Sequence, residues 1–564
     1  MGSERIVADA VIETLLAWGV RRVFICPGST EAGFLDASQR HPDLEIVLTT
    51  HESVAVAMAD GYARATGEPA VVYLHTHLGL ANGLAHLDAA RLARSPVVVL
   101  TGLKPRSLQA HDGFTTLPGT GALAAPFVKR HWQSLAGDEV ADDLARCLRS
   151  AVMEPCGPTW LGVGQDLLEA ECRTPAAGPE RFRVDASPAP DPLLLDQAAR
   201  LLADARHPVV VAGAETARHE AAEAVLGLVG RLGGAVFHED RRSFERSVVP
   251  TGHPQYAGLY DPEHPHAAEA DAVLLLGCRS FMEFEPFTRP PLPPTVKVVH
   301  THIDPAEIGR THRVDVAVIG DERRVALGLL ERLPTRPGST GADDAAGVIS
   351  ARPAPAGSRA GDGTAREGAA QEGTATVEEV VDALAQVVDA GTTVIEDATT
   401  SEAALLTGLP QFSPESMLTS VSGSLGWGMG AALGFQLAAP ERTVIAVLGD
   451  GVFQFGPQAL WAAARYRIPV LFVVINNRSY AAVAAAMVRH RKRTGLPVGE
   501  VAEYPGKDIS GVDIAAVAAG FGLPARRLTR AAEIPAAVRD LRRAGGPALI
   551  EILTDPDDLG GRPR

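Results

Sequence analysis

Two short polar motifs follow apolar runs in the C-terminal third of this 564-residue chain. TVIAVL leads into Gly449-Asp450-Gly451, and VLFVVI leads into Asn476-Asn477, with 24 residues between the motifs. Asp450 offers an anionic oxygen, Asn477 a neutral one, and Ser479 a backbone carbonyl. A few hard oxygen donors that leave positions to phosphate oxygens are the usual way to hold Mg²⁺. The flanking glycines let backbone approach a phosphate closely. Each motif alone is a common turn. Together, each after a buried-type strand, they point to a metal–phosphate site at the carboxyl ends of parallel strands.

Upstream, Gly423-Ser424-Leu425-Gly426-Trp427-Gly428 reads as a tight loop that brings backbone against a ring. Gly426, Gly428 and Gly430 approach a dinucleotide fingerprint, but the third glycine comes one position early and the preceding TSVSGSL is a weak strand. Near the N-terminus, His51-Glu52 separates the apolar run EIVL from an Ala-rich helical segment. A carboxylate there is ordinarily a cap or a partner of the helix dipole.

Stepping outward, the elements around these motifs alternate strand and helix, which implies βαβ units and mainly parallel sheets. Strands are expected at Arg22–Ile25, Glu45–Leu48, Ala70–Leu74 and Pro96–Leu100, with a helix at Ser53–Thr66 stopped by Gly67. Others are expected at Pro208–Ala212, Ala272–Leu276 and Val296–His300, and again at Thr393–Glu396, Val444–Leu448, Val470–Ile475 and Ala548–Ile552. The fold class is therefore α/β, with three doubly wound parallel-sheet domains. We place an N-terminal domain at 1–175, a middle domain at 191–333 and a C-terminal domain at 376–555. Residues 334–375 have almost no large apolar side chains and read as a flexible linker.

Composition narrows the function. The net charge of −16 argues against nucleic-acid binding, which wants a basic surface. Five scattered cysteines (Cys26, Cys147, Cys156, Cys172, Cys278) without CxxC spacing suit buried thiols in a reducing compartment. No apolar run approaches the ~18 residues of a membrane span. The N-terminal MGSERIVADAVIETLL lacks the marks of a signal peptide, so a cytoplasmic location is expected.

These parts resemble the thiamine-diphosphate-dependent 2-keto acid decarboxylase and carboligase superfamily over nearly the whole chain. GDG…NN matches its metal–diphosphate motif, HESVAVAMADGYARATG its glutamate segment, and VHTHIDPAEIGR the end of its middle domain. CPGS (26–29), LHTHLG (74–79), GHPQYAGL (252–259) and SGSLGWGMGAALGFQLAAPERTVIAVLGDG (422–451) resemble the benzoylformate decarboxylases more than the acetolactate synthases.

The resemblance implies pyrimidine-binding, middle and diphosphate-binding domains. It also implies a homodimer or homotetramer with cofactor sites between subunits. Asp450, Asn477 and the Ser479 carbonyl would hold Mg²⁺, and Thr399 and Thr400 would bond diphosphate oxygens. Leu425 would lie beneath the thiazolium ring, and Pro27, Gly28, Gly423, Gly451, Val452 and Tyr480 would complete the cofactor contacts. Glu52 would bond the aminopyrimidine and promote its imino form. Ser29 and His75 match the decarboxylases' carboxylate anchor and proton donor. The expected reaction is non-oxidative decarboxylation of a 2-keto acid to an aldehyde. The alternatives are carboligation to a 2-hydroxy ketone and a non-catalytic cofactor-binding protein, against which Glu52 speaks. No flavin, nucleic acid or membrane partner is expected.

Two departures bear on the outcome. Phe284, between Glu283 and Glu285, falls where the decarboxylases place a second catalytic histidine, and a phenyl ring transfers no proton. Ala486 stands where a bulky wall residue is expected, which widens the pocket. His77, two residues beyond His75, would face the opposite side of an extended segment and pack elsewhere. His86 and His111 are further imidazoles that nothing in the sequence places at the site. The basic run Arg489-His490-Arg491-Lys492-Arg493 is either a solvated helix face or an attractor of anionic substrate.

Overall fold

The strand ends carrying the polar motifs lie on two sheets of identical topology. The computed structural model describes residues 5–184, 187–282, 290–334, 374–499 and 504–556. The first sheet comprises β1 (Arg22–Cys26), β2 (Glu45–Leu48), β3 (Ala70–His75), β4 (Val97–Leu103), β5 (Arg130–Gln133) and β6 (Thr159–Gly164), in the order β2-β1-β3-β4-β6-β5. The third comprises β13 (Thr392–Asp397), β14 (Met417–Thr419), β15 (Thr443–Gly449), β16 (Leu471–Asn476), β17 (Ala525–Leu528) and β18 (Ala548–Leu553), in the order β14-β13-β15-β16-β18-β17. Between them in sequence, β7 (Pro208–Ala212), β8 (Ala235–His238), β9 (Tyr256–Leu259), β10 (Ala272–Leu276), β11 (Lys297–His302) and β12 (Val316–Ile319) form the second sheet, ordered β12-β11-β10-β7-β8-β9. The paired strands of all three sheets run parallel. The three-layered α/β class is as the sequence implies. Central strands such as β4 and β16 are buried along their whole length, because helices cover both faces.

The linker reading at 334–375 falls almost entirely on residues outside those described, as do Glu283, Phe284 and Glu285. Among the described residues no helix is long and apolar enough to cross a membrane.

One continuous hydrophobic core joins the first and third sheets. At its centre the helix Glu52–Thr66 lies against the helix Trp427–Ala438. A β-carbon at Gly61 would overlap the Ala431 carbonyl, and one at Gly434 would overlap that of Met58. A β-carbon at Gly430 would sit 2.7 Å from the Ala57 methyl. Of the glycines that approach a dinucleotide fingerprint, Gly430 thus serves helix packing, while Gly428 faces Asp397 and Gly426 lies against Phe455. The Asp60 carboxylate, fully buried, anchors the same contact. It accepts from Arg64 Nε (3.1 Å), from Trp427 Nε1 (2.7 Å) and from the Ser95 hydroxyl. Arg64 also donates to the Thr419 carbonyl at 2.8 Å and stacks over the Trp427 ring.

The second sheet is tied to the first by Arg94, which donates to Glu215 (2.9 Å), Asp304 (3.2 Å) and Glu307 (3.1 Å). Its strand order places the topological switch point between β7 and β10, where such sheets take nucleotides. Here Arg94, Glu215, Arg218, Glu239, Arg279 and His302 fill that crevice, leaving about 10 Å³.

The glycine contact makes a direct prediction. Gly61→Ala must push the two helices apart, at a cost of about 1–3 kcal/mol, and lowers the thermal unfolding midpoint. Gly520→Ala, at an exposed helix position with nothing within 4 Å of the added methyl, leaves it unchanged or slightly raised. Differential scanning calorimetry of the two variants checks this.

Candidate functional site

At the third sheet's carboxyl edge, β15 ends at Gly449 and a one-turn helix begins at Asp450. The Asp450 carboxylate is buried at 6% exposure. Its Oδ1 accepts from the Gly451 amide at 2.8 Å, and the amides of Arg478 and Ser479 also face it. Its Oδ2 is buried with no partner. Burial pushes this carboxyl up to about 6. Beyond β16, Asn477 Oδ1 accepts from the Ser479 amide at 3.0 Å, while the Ser479 hydroxyl is buried without a partner. This turn is pinned from outside, because Tyr480 N donates to the Lys507 carbonyl and Ile509 N to that of Arg478. The Tyr480 ring lies over Gly451, where a β-carbon would sit 2.6 Å from it.

An orphaned carboxylate oxygen beside two amide-ordered oxygens suits a divalent cation, which relieves the desolvated charge. Among the described residues no three His, Cys, Asp or Glu side chains gather as a metal cage. A cation here would find neutral protein oxygens beside Asp450 rather than further anionic side chains, which leaves positions for oxygens from outside the protein, as Mg²⁺ takes from phosphates.

Thr399 and Thr400 lie half-buried where β13 ends, with Thr399 in the left-handed region at φ 35° and its carbonyl accepting from Arg241 at 3.0 Å. Just before them, Asp397 Oδ2 accepts from the Gly428 amide at 3.0 Å. That bond ties β13 to the loop carrying Gly423 and Leu425. Burial pushes the Asp397 carboxyl up to about 7. Gly426 turns that loop at φ 86°, close against Phe455, a conformation that excludes larger residues.

At the first sheet's carboxyl edge, Glu52 opens its helix, but His51 provides the cap, its Nδ1 accepting from the Ser53 amide at 3.2 Å. Glu52 is thus released from the capping role that the sequence leaves open. Its Oε2 accepts from Asn82 at 3.0 Å, and its other oxygen lies over Gly79, where a β-carbon would be 3.2 Å away. The Cys26 thiol is pushed up to about 11 by burial and by the nearby Glu52.

Ser29 and His75 follow β1 and end β3. The His75 ring packs flat on Gly28, leaving no room there for a side chain. Its Nδ1 lies 3.0 Å from Glu31 Oε2 and 2.9 Å from Thr30 Oγ1. The Thr30 hydroxyl has one proton and two acceptors of its own, Glu31 Oε1 (2.6 Å) and the Gly102 carbonyl (3.1 Å), so its oxygen accepts from His75. We therefore assign the proton to Nδ1, which leaves Nε2 bare in the neutral ring. Glu31 is fully buried and also accepts from the Gly28 amide at 2.7 Å. Ser29 Oγ accepts from Lys104 Nζ at 3.1 Å.

The structure groups Pro27, Gly28, Ser29, Glu52 and His75 on one edge, and Thr399, Thr400, Asp450, Gly451, Val452, Asn477, Ser479 and Tyr480 on the other. Among the described residues no hydrogen bond or ion pair joins Glu52, Ser29 or His75 to Asp450, Asn477 or Ser479. His86 links the two regions: Nδ1 meets the Ser53 carbonyl at 2.8 Å and Nε2 that of Leu425 at 3.2 Å. It is buried, and burial lowers its basicity. His111 is exposed and bonded locally to Ser107. His77 does not continue a strand: Thr76 takes φ 50° and starts the helix Thr76–Leu92, placing His77 beside Lys104. Ala486 is exposed on the helix Ala481–Thr494, which also carries the basic run. Arg491 there caps the Pro497 and Val498 carbonyls. Glu31, Asn82, Lys104 and Asp397 escaped the sequence reading. Only the spacing of Glu31 after Pro27-Gly28-Ser29 carries a local signal.

Models of the thiamine pyrophosphate enzyme family match three segments. The N-terminal TPP-binding domain matches residues 5–122, the central domain 195–329 and the C-terminal TPP-binding domain 397–552. The chain is 30% identical to a benzoylformate decarboxylase of Pseudomonas aeruginosa over 97% of this chain and 98% of that protein. It is 26% identical to a probable acetolactate synthase large subunit of Methanocaldococcus jannaschii, covering 97% and 92%. Among solved structures, a thiamine diphosphate-dependent 4-hydroxybenzoylformate decarboxylase of Rhodococcus jostii superposes with a TM-score of 0.84 at 26% identity, covering 98% of this chain and all of that one.

The Glu31 contact predicts a tautomer change. In Glu31→Gln the amide NH₂ can donate to His75 Nδ1 and shift the ring proton to Nε2. Nitrogen-15 shifts of labelled histidine report the exchange. Glu31→Ala instead leaves its three donors without this acceptor and destabilises the fold by about 3 kcal/mol.

Proposed function

This chain belongs to the thiamine pyrophosphate enzyme family, and we propose that it is a Mg²⁺-dependent decarboxylase that converts a 2-keto acid to an aldehyde. The observation that carries the reading is His75. A histidine anchored through Nδ1 to a buried carboxylate, with its other nitrogen free, at the strand ends beside Glu52, is a positioned proton donor.

When bound, thiamine diphosphate supplies the carbon nucleophile that adds to the keto group and then holds the electron pair freed as CO₂ leaves. The chain's own groups do the rest. Glu52 holds a proton at a ring nitrogen of the cofactor, and its bond to Asn82 fixes the carboxylate's direction. Ser29 anchors the substrate carboxylate. His75 Nε2, once protonated, delivers a proton to the carbon that becomes the aldehyde. Asp450, Asn477 and the Ser479 carbonyl hold Mg²⁺, with Thr399 and Thr400 on the diphosphate. Pro27, Gly28, Gly423, Leu425, Gly451, Val452 and Tyr480 line the cofactor. In this reading the complete site lies between subunits of a dimer or tetramer, with one edge supplied by each. A cytoplasmic location belongs to the same reading and is supported by five free cysteines. We also propose that no flavin is used, a reading supported by the side chains that fill the second sheet's crevice.

A second reading is carboligation to a 2-hydroxy ketone. It is favoured by Phe284 in the sequence and by the likeness to acetolactate synthase.

The test is CO₂ release with thiamine diphosphate and Mg²⁺ across a panel of 2-keto acids, with products identified by mass. Aldehyde supports decarboxylation, hydroxy ketone supports carboligation, and no turnover by any acid refutes both. Glu52→Gln keeps cofactor binding and loses about 10²–10⁴ in kcat. Asp450→Asn weakens cofactor binding, and excess Mg²⁺ restores it only in part, as calorimetric titration will show.

A further inference from the structure

An arginine beside the second sheet reaches the carboxyl edge of the third. Arg241 lies on the segment that follows β8, and that segment is fixed at its base by two buried carboxylates. Glu239 accepts from the Arg279 amide at 2.7 Å and from the Ala214 amide at 3.2 Å, and Asp240 accepts from the Phe281 amide at 2.9 Å. From this base the Arg241 side chain crosses to the end of β13. Its Nε donates to Glu402, and its Nη2 donates to the Thr399 carbonyl at 3.0 Å. Arg242 donates to the same Glu402 carboxylate at 3.0 Å.

The bond to Thr399 holds a turn in an unfavourable shape. The Ser401 amide donates to the Ala398 carbonyl at 2.9 Å, which closes a turn around Thr399 and Thr400. Thr399 sits at φ 35°, where a β-branched residue stays only if its surroundings impose it. Among the described residues the amides and hydroxyls of Thr399 and Thr400 meet no acceptor. The Thr399 carbonyl and the Thr400 amide belong to one trans peptide unit. With the carbonyl turned to Arg241, the Thr400 N–H points the opposite way. A cation on the carbonyl also polarises the peptide and makes that N–H a stronger donor.

We propose that Arg241 is a positioning residue for the diphosphate: it fixes the Thr399–Thr400 peptide so that its free donors are presented to phosphate oxygens, without touching the cofactor. This rests on the reading that Thr399 and Thr400 meet a diphosphate, and it gives the middle domain a part in cofactor binding.

The experiment titrates thiamine diphosphate with Mg²⁺ into the cofactor-free protein by calorimetry. Arg241→Gln raises the Kd about five- to fiftyfold. That is below the full value of a charged hydrogen bond, because the side chain is 35% exposed. Its unfolding midpoint without cofactor stays within about 3 °C of wild type, as for a partly solvated ion pair. In the loaded enzyme the apparent KM for the cofactor rises more than kcat falls. Arg241→Lys keeps the charge but not the two-pronged geometry and falls between. Arg242→Gln, which leaves the bond to Thr399 in place, raises the Kd less than Arg241→Gln does. Wild-type affinity in Arg241→Gln refutes the assignment, and so does an equal loss in Arg242→Gln. If Arg241→Gln does not fold, the lysine variant decides alone, and wild-type affinity there refutes it. If the wild type binds no thiamine diphosphate, the reading of the site falls with it.

Discussion

The molecule turns on the contact between the helix Glu52–Thr66 and the helix Trp427–Ala438. Glycine hydrogens replace side chains there, so backbone meets backbone. The buried Asp60 carboxylate supplies what an apolar seam lacks, a directional lock. It is satisfied by Arg64, Trp427 and Ser95 together. A buried ion pair gains little when its charges are left partly solvated or partly unpaired. This one has an indole and a hydroxyl on its remaining lone pairs, so its main effect is to fix register. Glu52 heads one of these helices, and the Leu425 loop leads into the other. The seam therefore sets where both chemical edges point.

Duplicated topology does the rest. The first and third sheets share one strand order, and each presents its polar residues at carboxyl ends. One edge collects a carboxylate and imidazoles, the other a desolvated aspartate among amide-ordered oxygens. The second sheet has the order that elsewhere cradles nucleotides, yet Arg94 reaches into its crevice from the first sheet's side. There it meets Glu215, whose carboxyl is held well below the usual range by Arg218 and Arg94 despite burial. A crevice closed by its own ion pairs acts as a joint between units.

Legibility in the sequence follows burial. Strands covered on both faces, such as β4, β7 and β16, are continuous apolar runs and were readable to within a few residues. The edge strands β5 (RHWQ) and β17 (ARRL) were not, because half-exposed strands keep polar side chains. Asp450 and Asn477 were readable because each directly follows a buried strand. Glu31, Lys104 and Asn82 were not, because their partners lie 44, 75 and 30 residues away. An extended continuation of β3 misplaces His77. The positive φ at Thr76 ends the strand and turns the imidazole toward Lys104.

The buried Oδ2 of Asp450 and hydroxyl of Ser479 have a consequence for the whole fold. Two orphaned oxygens at the ends of neighbouring strands cost stability as long as nothing meets them. Tertiary contacts hold them in place all the same, through Tyr480 over Gly451 and the bridge to Lys507–Ile509. The chain thus spends packing energy to keep a desolvated carboxylate aimed at the strand ends. A ligand that neutralises it recovers that free energy and stabilises the native state by mass action. On the proposed function, cation affinity and stability of the third sheet are therefore coupled through one side chain. The rigidity that holds Asp450 in a desolvated position is what preorganises it for the proposed cation.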